Sequence, residues 1–282
     1  GQLALGSVLF LFGASLGTID VAMNVHGVEV EAQERRSLMS SFHAQFSIGA
    51  LCGAGLMTLL LSLSVSLIIA ALAGALVALV AMLLASTRLL TASASEPTEL
   101  VLPRGIVLLL GLLAAIAFLV EGAVLDWGAL LIIDQQITEP QNAGIGYILF
   151  SVAMVMARLT GDQVVKLLGE FRVLVMSGVI TILGISTVLM TTFSFVALFG
   201  FVLIGLGSAN IVPILFSVAG RQTVMPASLA IAAVTTTGYA GVLVGPAMVG
   251  FAAELTSLPM AFWLLAGLIA LVPATAFFVA KG

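Results

Sequence analysis

Nine apolar runs, each close to the length of a membrane-spanning helix, constrain this chain more than any other feature of its sequence. A helix needs about 20 mostly apolar residues to cross the hydrocarbon core of a bilayer. Such runs lie at residues 3–25, 42–63, 65–86, 106–125, 143–159, 173–191, 195–219, 227–251 and 259–280. They are continuous rather than alternating, which predicts helices and argues against the strands of a closed barrel. No soluble core absorbs so much apolar surface. Of 282 residues, 61% are hydrophobic and only 8% charged, whereas a soluble domain carries about a quarter charged residues. The expected fold class is all-α, a polytopic transmembrane helical bundle with lipid as its main solvent.

The basic residues predict an orientation. Arg35 and Arg36 follow the first run, Arg88 and Arg104 the third, and Arg158, Lys166 and Arg172 flank or fill the connection after the fifth. Arg221 follows the seventh run and Lys281 the ninth. All nine fall on one face, which the positive-inside rule makes cytoplasmic, with the C-terminus inside and Gly1 outside. On this face the connection 87–105 contains Thr91-Ala-Ser-Ala-Ser-Glu-Pro-Thr, a polar, small-residue linker composition. It separates three spans in 1–86 from six in 106–282. A six-span unit after such a linker is expected to be the second bundle of a two-bundle transporter. The chain starts at Gly1, no charged n-region or cleavage site precedes the first run, and a fragment is expected rather than a signal peptide.

Charge inside lipid costs a few kcal/mol on insertion scales, so each intramembrane acid needs a reason. Asp20 and Glu121 are the candidates for a group that gains and loses a proton during transport; the alternative is that each pairs with a basic or hydroxyl group on a neighbouring helix. Asn24 shares a helix face with Asp20, four residues away. Asp126 is five residues beyond Glu121, about 140° around the helix, and need not face the same cavity. Asp126, Trp127, Asn24, Gln45, Asn210 and Tyr239 are candidate lining residues of a solute cavity. Asn210 precedes Pro213 midway through its run, where proline frees a carbonyl and kinks the helix. His26 and His43 flank the first connection and read as structural. Gly13/Gly17, Gly49/Gly53 and Gly241/Gly245 are small-residue pairs suited to close helix packing.

One cysteine, Cys52, excludes an internal disulfide and a cysteine-built metal site. No cluster of His, Cys or paired acids makes an enzyme's constellation, so neither catalytic residue nor cofactor nor metal is expected. A net charge of −4 without a basic cluster gives no reason to invoke nucleic acid. With no basic residue placed inside the spans, the solute is expected to be neutral and polar or weakly amphipathic.

The stretch Gly13-Ala-Ser-Leu-Gly-Thr-Ile-Asp20-Val-Ala-Met-Asn24-Val-His-Gly resembles the fourth helix of the major facilitator superfamily, in its fucose-permease-like branch, YbjJ-type inner-membrane proteins. Glu121-Gly-Ala-Val-Leu-Asp126-Trp127 is similar to that group's seventh helix. Gly205-Leu-Gly-Ser-Ala-Asn210-Ile-Val-Pro213 and Thr236-Thr-Gly-Tyr239 resemble its tenth and eleventh. The resemblance implies that nine spans are seen of a twelve-helix major facilitator fold, truncated before the fourth helix. It implies a monomeric bacterial inner-membrane transporter working by alternating access, with a small solute and protons as partners. A multidrug or metabolite efflux antiporter and an inactive truncated transporter fragment are the alternative functions.

In the fucose/proton symporter the fourth helix carries its coupling glutamate in a Leu-Gly-x-x-acid-x-Ala-x-Asn pattern. Here the pattern is met by Leu16, Gly17, Asp20, Ala22 and Asn24, and the resemblance makes Asp20 the leading coupling residue. Arg158, Gly161, Asp162, Lys166 and Arg172 are similar to the superfamily's loop signature between paired helices. Asp162 is expected to cap a helix N-terminus or to meet Arg158, forming a latch that breaks when the bundles rock.

Overall fold

The computed structural model describes residues 2–90 and 102–281. Most of the expected linker, 91–101, lies outside the described residues. The described residues form α1 (Gln2–Glu34), α2 (Met39–Ser62), α3 (Leu67–Ser86), α4 (Ile106–Asp134), α5 (Ile145–Leu168) and α6 (Glu170–Met190). They continue with α7 (Ser194–Ser208), α8 (Ile211–Arg221), α9 (Ala227–Leu255), α10 (Leu258–Ile269) and α11 (Leu271–Val279). Nine stretches among them are long and apolar enough to cross a membrane. Two of the nine are broken helices: α7 with α8, and α10 with α11. The all-helical fold class and the span count expected from the sequence both hold.

Contacts divide the chain into two compact units, Gly1–Ser41 with Leu100–Gly282, and Phe42–Glu99. The smaller unit holds most of α2 and all of α3. Ser66 caps α3 by accepting the Ile69 N–H at 3.4 Å. Leu67, Ile68, Ile69 and Leu72 stand exposed on α3, as apolar side chains do where lipid is the solvent.

In the larger unit α4 packs most extensively on α9, α6 on α7, and α5 on α7. Apolar association gains little in lipid, so close van der Waals approach through small residues holds such bundles. The α6–α7 crossing is of this kind. A Cβ on Gly184 would stand 2.8 Å from the Gly200 carbonyl oxygen, and one on Gly207 would stand 2.5 Å from the Thr181 backbone nitrogen. Of the three glycine pairs singled out in the sequence, Gly241/Gly245 is used this way, against Ala115 and Leu119 of α4. Around Gly13, Gly17, Gly49 and Gly53 the described residues leave open space.

The largest departure from the sequence reading is α5. Its run was expected to end at residue 159, but the helix continues to Leu168. Arg158, Asp162 and Lys166 carry the charge that signals a loop, yet each is accommodated within the helix. Arg158 is turned inward and is only 5% exposed. Asp162 serves another helix's N-terminus. Lys166 lies in the last turn, where a cation meets the negative end of the helix dipole. Gly169, at φ +79°, then turns the chain into α6, a conformation that favours glycine.

A buried ion pair and a mid-span carboxylate as candidate functional site

Counted along their helices, four polar residues lie near the middle of the larger unit's spans. Glu121 is in the middle of the 29-residue α4, and Arg158 just past the middle of the 24-residue α5. Asp20 is central in α1, and Tyr239 in α9. They form two polar contacts.

The first is ionic. The Arg158 guanidinium donates through Nη2 to Glu121 Oε1 at 3.2 Å and through Nε to the Ala209 carbonyl at 3.2 Å. The reason that carbonyl is free is in the sequence. Pro213, four residues on, has no N–H to return to it, and the helix breaks at Ala209–Asn210. The break therefore supplies a second acceptor, beside Glu121, for a charge held inside the membrane. This overturns the expectation that Arg158 belongs to a surface connection, and with it the expectation that the spans hold no basic residue. One of the nine basic residues is thereby removed from the orientation count.

The second contact joins α1 to α9. The Tyr239 hydroxyl of α9 stands beside the Asp20 carboxylate of α1. On its other side the Tyr239 ring stacks on Phe118, with centroids 6.3 Å apart and an interplanar angle of 11°. Phe118 precedes Glu121 by three residues and shares its helix face. The Asp20 contact and the Glu121–Arg158 pair are thus linked through one aromatic stack. Asn24 folds back one turn, donating through Nδ2 to the Asp20 backbone carbonyl at 2.9 Å. Asn24 is 2% exposed, and its Oδ1 has no hydrogen-bond partner among the described residues.

The other lining candidates go to different places. Asn210 sits at the helix break, its Nδ2 within 3.5 Å of the Ala157 carbonyl. Trp127 packs its ring over Gly250 of α9, while Asp126 is exposed, as their different helix faces require. Gln45 is exposed on α2. His26 lies within α1, which runs eight residues beyond it, rather than at a helix end.

A second constellation gathers at the start of α2. Four successive N–H groups there would lack intrahelical partners. Glu31 of α1 accepts from Leu38 and Met39 at 2.7 and 3.0 Å. Asp162 of α5 accepts from Ser40 and Ser41 at 3.0 and 2.9 Å, and from the Ser41 hydroxyl. The helix-capping alternative for Asp162 is the one observed. Glu31 was not singled out in the sequence, since nothing in its spacing marks a partner seven residues on. Lys166 and Arg172 stand exposed nearby in the chain, and Arg221 pairs with Glu170.

Gly161 makes the close approach of α5 possible. A Cβ there would stand 2.0 Å from Asn210 Oδ1 and 2.7 Å from Ser40 Cβ. Gly161→Ala is expected to lower stability by about 1–3 kcal/mol, as forced overpacking does. Thermal unfolding in detergent reads this, and an unchanged midpoint would contradict the packing described.

No family model matches the chain. Over 271 residues it is 44% identical to an uncharacterized MFS-type transporter of Yersinia pestis, spanning 95% of this chain and 70% of the relative. This chain belongs to the major facilitator superfamily. It is also 37% identical over 273 residues to the uncharacterized transporter y4wD of Sinorhizobium fredii, covering 95% of this chain and 72% of that protein. With the membrane protein MosC of Rhizobium meliloti it shares 30% identity over 259 residues, 89% of this chain and 62% of MosC. A multi-pass bacterial membrane transporter of the superfamily type is what the fold and these relatives together support. In that setting the Asp20 contact and the Glu121–Arg158 pair are the strongest candidates for a working site, because buried charge in lipid is retained at a cost.

Proposed function

We propose that the protein is a secondary active transporter of the fucose-permease-like branch, moving a small solute by alternating access and coupling it to protons through Asp20. One observation supports this most. Glu121 has a cationic partner in Arg158, whereas Asp20 has the Tyr239 hydroxyl alone among the described residues. A carboxylate in the middle of a span, without a neutralising cation, alternates between proton-bound and proton-free states at low structural cost. Glu121 acts with it: a proton taken there releases Arg158 from the pair.

In this reading residues 1–86 belong to the N-terminal bundle and 106–282 form the C-terminal one, with the C-terminus cytoplasmic and the protein a monomer. Asp162, positioned by Gly161 and flanked by Arg158, Lys166 and Arg172, serves as the cytoplasmic latch on α2, broken and remade as the bundles rock. The solute lies near the midplane, in the region of Asp20, Asn24, Glu121, Tyr239 and Asn210, and Gln45, Asp126 and Trp127 line its approach.

Proteoliposomes of the full-length transporter test the coupling. An imposed pH gradient is expected to drive solute accumulation, and a protonophore to abolish it. Accumulation that is indifferent to the protonophore would remove protons from the mechanism.

A further inference from the structure

We infer that the recess between the start of α4, the turn after α8 and the end of α11 binds the head group of an anionic phospholipid, with Arg104 and Lys281 as its counter-charges. The inference is independent of the solute and of the coupling residue.

Depth in the membrane leads there first. Ile106 opens one apolar span and Val279 closes another. Arg104 stands two residues before the first, and Lys281 two residues after the second. The candidate spans from Ile106 to Val279 are six, an even number, so both cations lie at the same membrane boundary. A recess of about 520 Å³ opens there, lined by Gly105, which Arg104 immediately precedes, and by Lys281 itself. It is more than ten times the roughly 30 Å³ share of one water.

The lining has the two characters of a lipid. One wall is apolar and faces the bilayer: Phe278 is 63% exposed, and Ile106 and Leu109 line the recess with it. The rim is polar, with Thr223 and Gln222 on the turn and the Lys281 amine across from the apolar wall's outer edge in the chain. This rim is preformed. Gln222 accepts from the Val224 and Met225 N–H groups at 2.7 and 3.0 Å, and donates to the Ala219 and Met225 carbonyls at 3.3 and 2.7 Å. Val224 in turn packs on Gly105, where an added Cβ would stand 3.3 Å from its Cγ1. A ligand entering such a rim orders little that is not already ordered.

Charge selects the head group. Arg104 and Lys281 have no carboxylate partner among the described residues, whereas Arg36, Arg158 and Arg221 pair with Glu34, Glu121 and Glu170. Lys281 holds its ammonium over the Phe277 ring, 4.1 Å from the centroid, a contact that leaves its hydrogen-bond donors free. The acids of the surrounding helices are elsewhere: Glu121 in the middle of α4 and Glu254 at the far end of α9. Glu170 is held by Arg221, the residue before the turn. α4 begins without a side-chain cap, so the positive end of its dipole adds to the two cations. A second basic recess, between α1 and α8, shows the contrast. Arg35, Arg36 and Arg221 line it, but so does Glu31, and two of the three arginines are paired. The recess at Gly105 has no acid in its lining. Basic pockets between spanning helices at a membrane boundary are suited to phosphate head groups, and the exposed apolar wall fits the acyl chains that a free anion lacks.

Brominated phospholipids, which quench a tryptophan they touch, test this on the full-length transporter in phosphatidylcholine nanodiscs. The probe is Thr223→Trp, read as the difference from the protein without it. Brominated phosphatidylglycerol is expected to reach half-maximal quenching at about one-twentieth of the mole fraction that brominated phosphatidylcholine requires. Arg104→Gln and Lys281→Gln should each raise that fraction about fivefold, the scale of one basic residue at a membrane surface. Arg88→Gln, which removes an equal charge beyond the end of α3, should leave it unchanged. Because the probe replaces a residue of the rim, thermal unfolding of the unsubstituted protein in mixed micelles provides a second reading. Phosphatidylglycerol should raise the midpoint above that in phosphatidylcholine, and the double variant Arg104→Gln with Lys281→Gln should remove the difference.

Equal quenching by the two lipids overturns the inference, as does a preference that survives the double variant. An equal effect of Arg88→Gln would reduce the preference to general surface attraction and end the site. Millimolar inorganic phosphate that abolishes the preference at constant ionic strength would assign the recess to a soluble anion and overturn the lipid reading.

Discussion

Glu121→Ala is expected to destabilise the protein by about 3 kcal/mol, because it leaves the Arg158 guanidinium buried without its counter-charge. The usual range for breaking a buried pair is about 3–5 kcal/mol. The lower end applies here, since the Glu121 side chain is 19% exposed and Arg158 retains the Ala209 carbonyl. Arg158→Met leaves the opposite charge and should cost a similar amount. The double variant Glu121→Leu with Arg158→Met removes both charges at once. Replacing a buried pair by apolar groups of like volume is often neutral, so this variant should recover most of the loss. A double-mutant cycle by thermal unfolding in detergent measures the difference. Costs that simply add would mean that the two groups do not stabilise each other, and the ion pair at the helix break would lose its structural role.

Asp20→Asn is the second large effect. The amide keeps the size of the side chain beside Tyr239, so the α1–α9 contact should survive with little loss of stability. What is lost is the exchangeable proton. Solute accumulation against a gradient is expected to fall to the level of empty liposomes, while exchange of labelled for unlabelled solute continues near the wild-type rate. Loss of both would indicate damage to solute binding, and retention of accumulation would show that coupling resides elsewhere.

The spans were legible because lipid imposes a length and a composition on each of them. The ends were not. At α5 the charges of Arg158, Asp162 and Lys166 resemble a loop in sequence, and only the partners of each show why a helix carries them. Arg158 in particular needed Pro213, 55 positions later in the chain, to free the Ala209 carbonyl that receives it. The kink near Asn210 was readable from that proline, but which group would use the freed carbonyl was not. The same limit applies to Glu31 and Asp162, which serve consecutive N–H groups of α2 from two different helices. Asp20, Asn24 and Tyr239 stood out as polar residues in apolar runs, yet the meeting of Asp20 with Tyr239 between α1 and α9 belongs to the tertiary fold alone. Small-residue pairs were the least informative signal. Gly241/Gly245 packs closely, whereas the tightest α6–α7 contacts use glycines that no pair spacing marked.

Proton stoichiometry on solute binding tests the central role of Asp20 most directly. Purified full-length transporter in weakly buffered detergent solution, titrated with its solute and followed with a pH indicator, should exchange close to one proton per binding event. Asp20→Asn should bind solute and exchange none. Equal proton exchange by the wild type and by Asp20→Asn would contradict the assignment and move the coupling site away from α1.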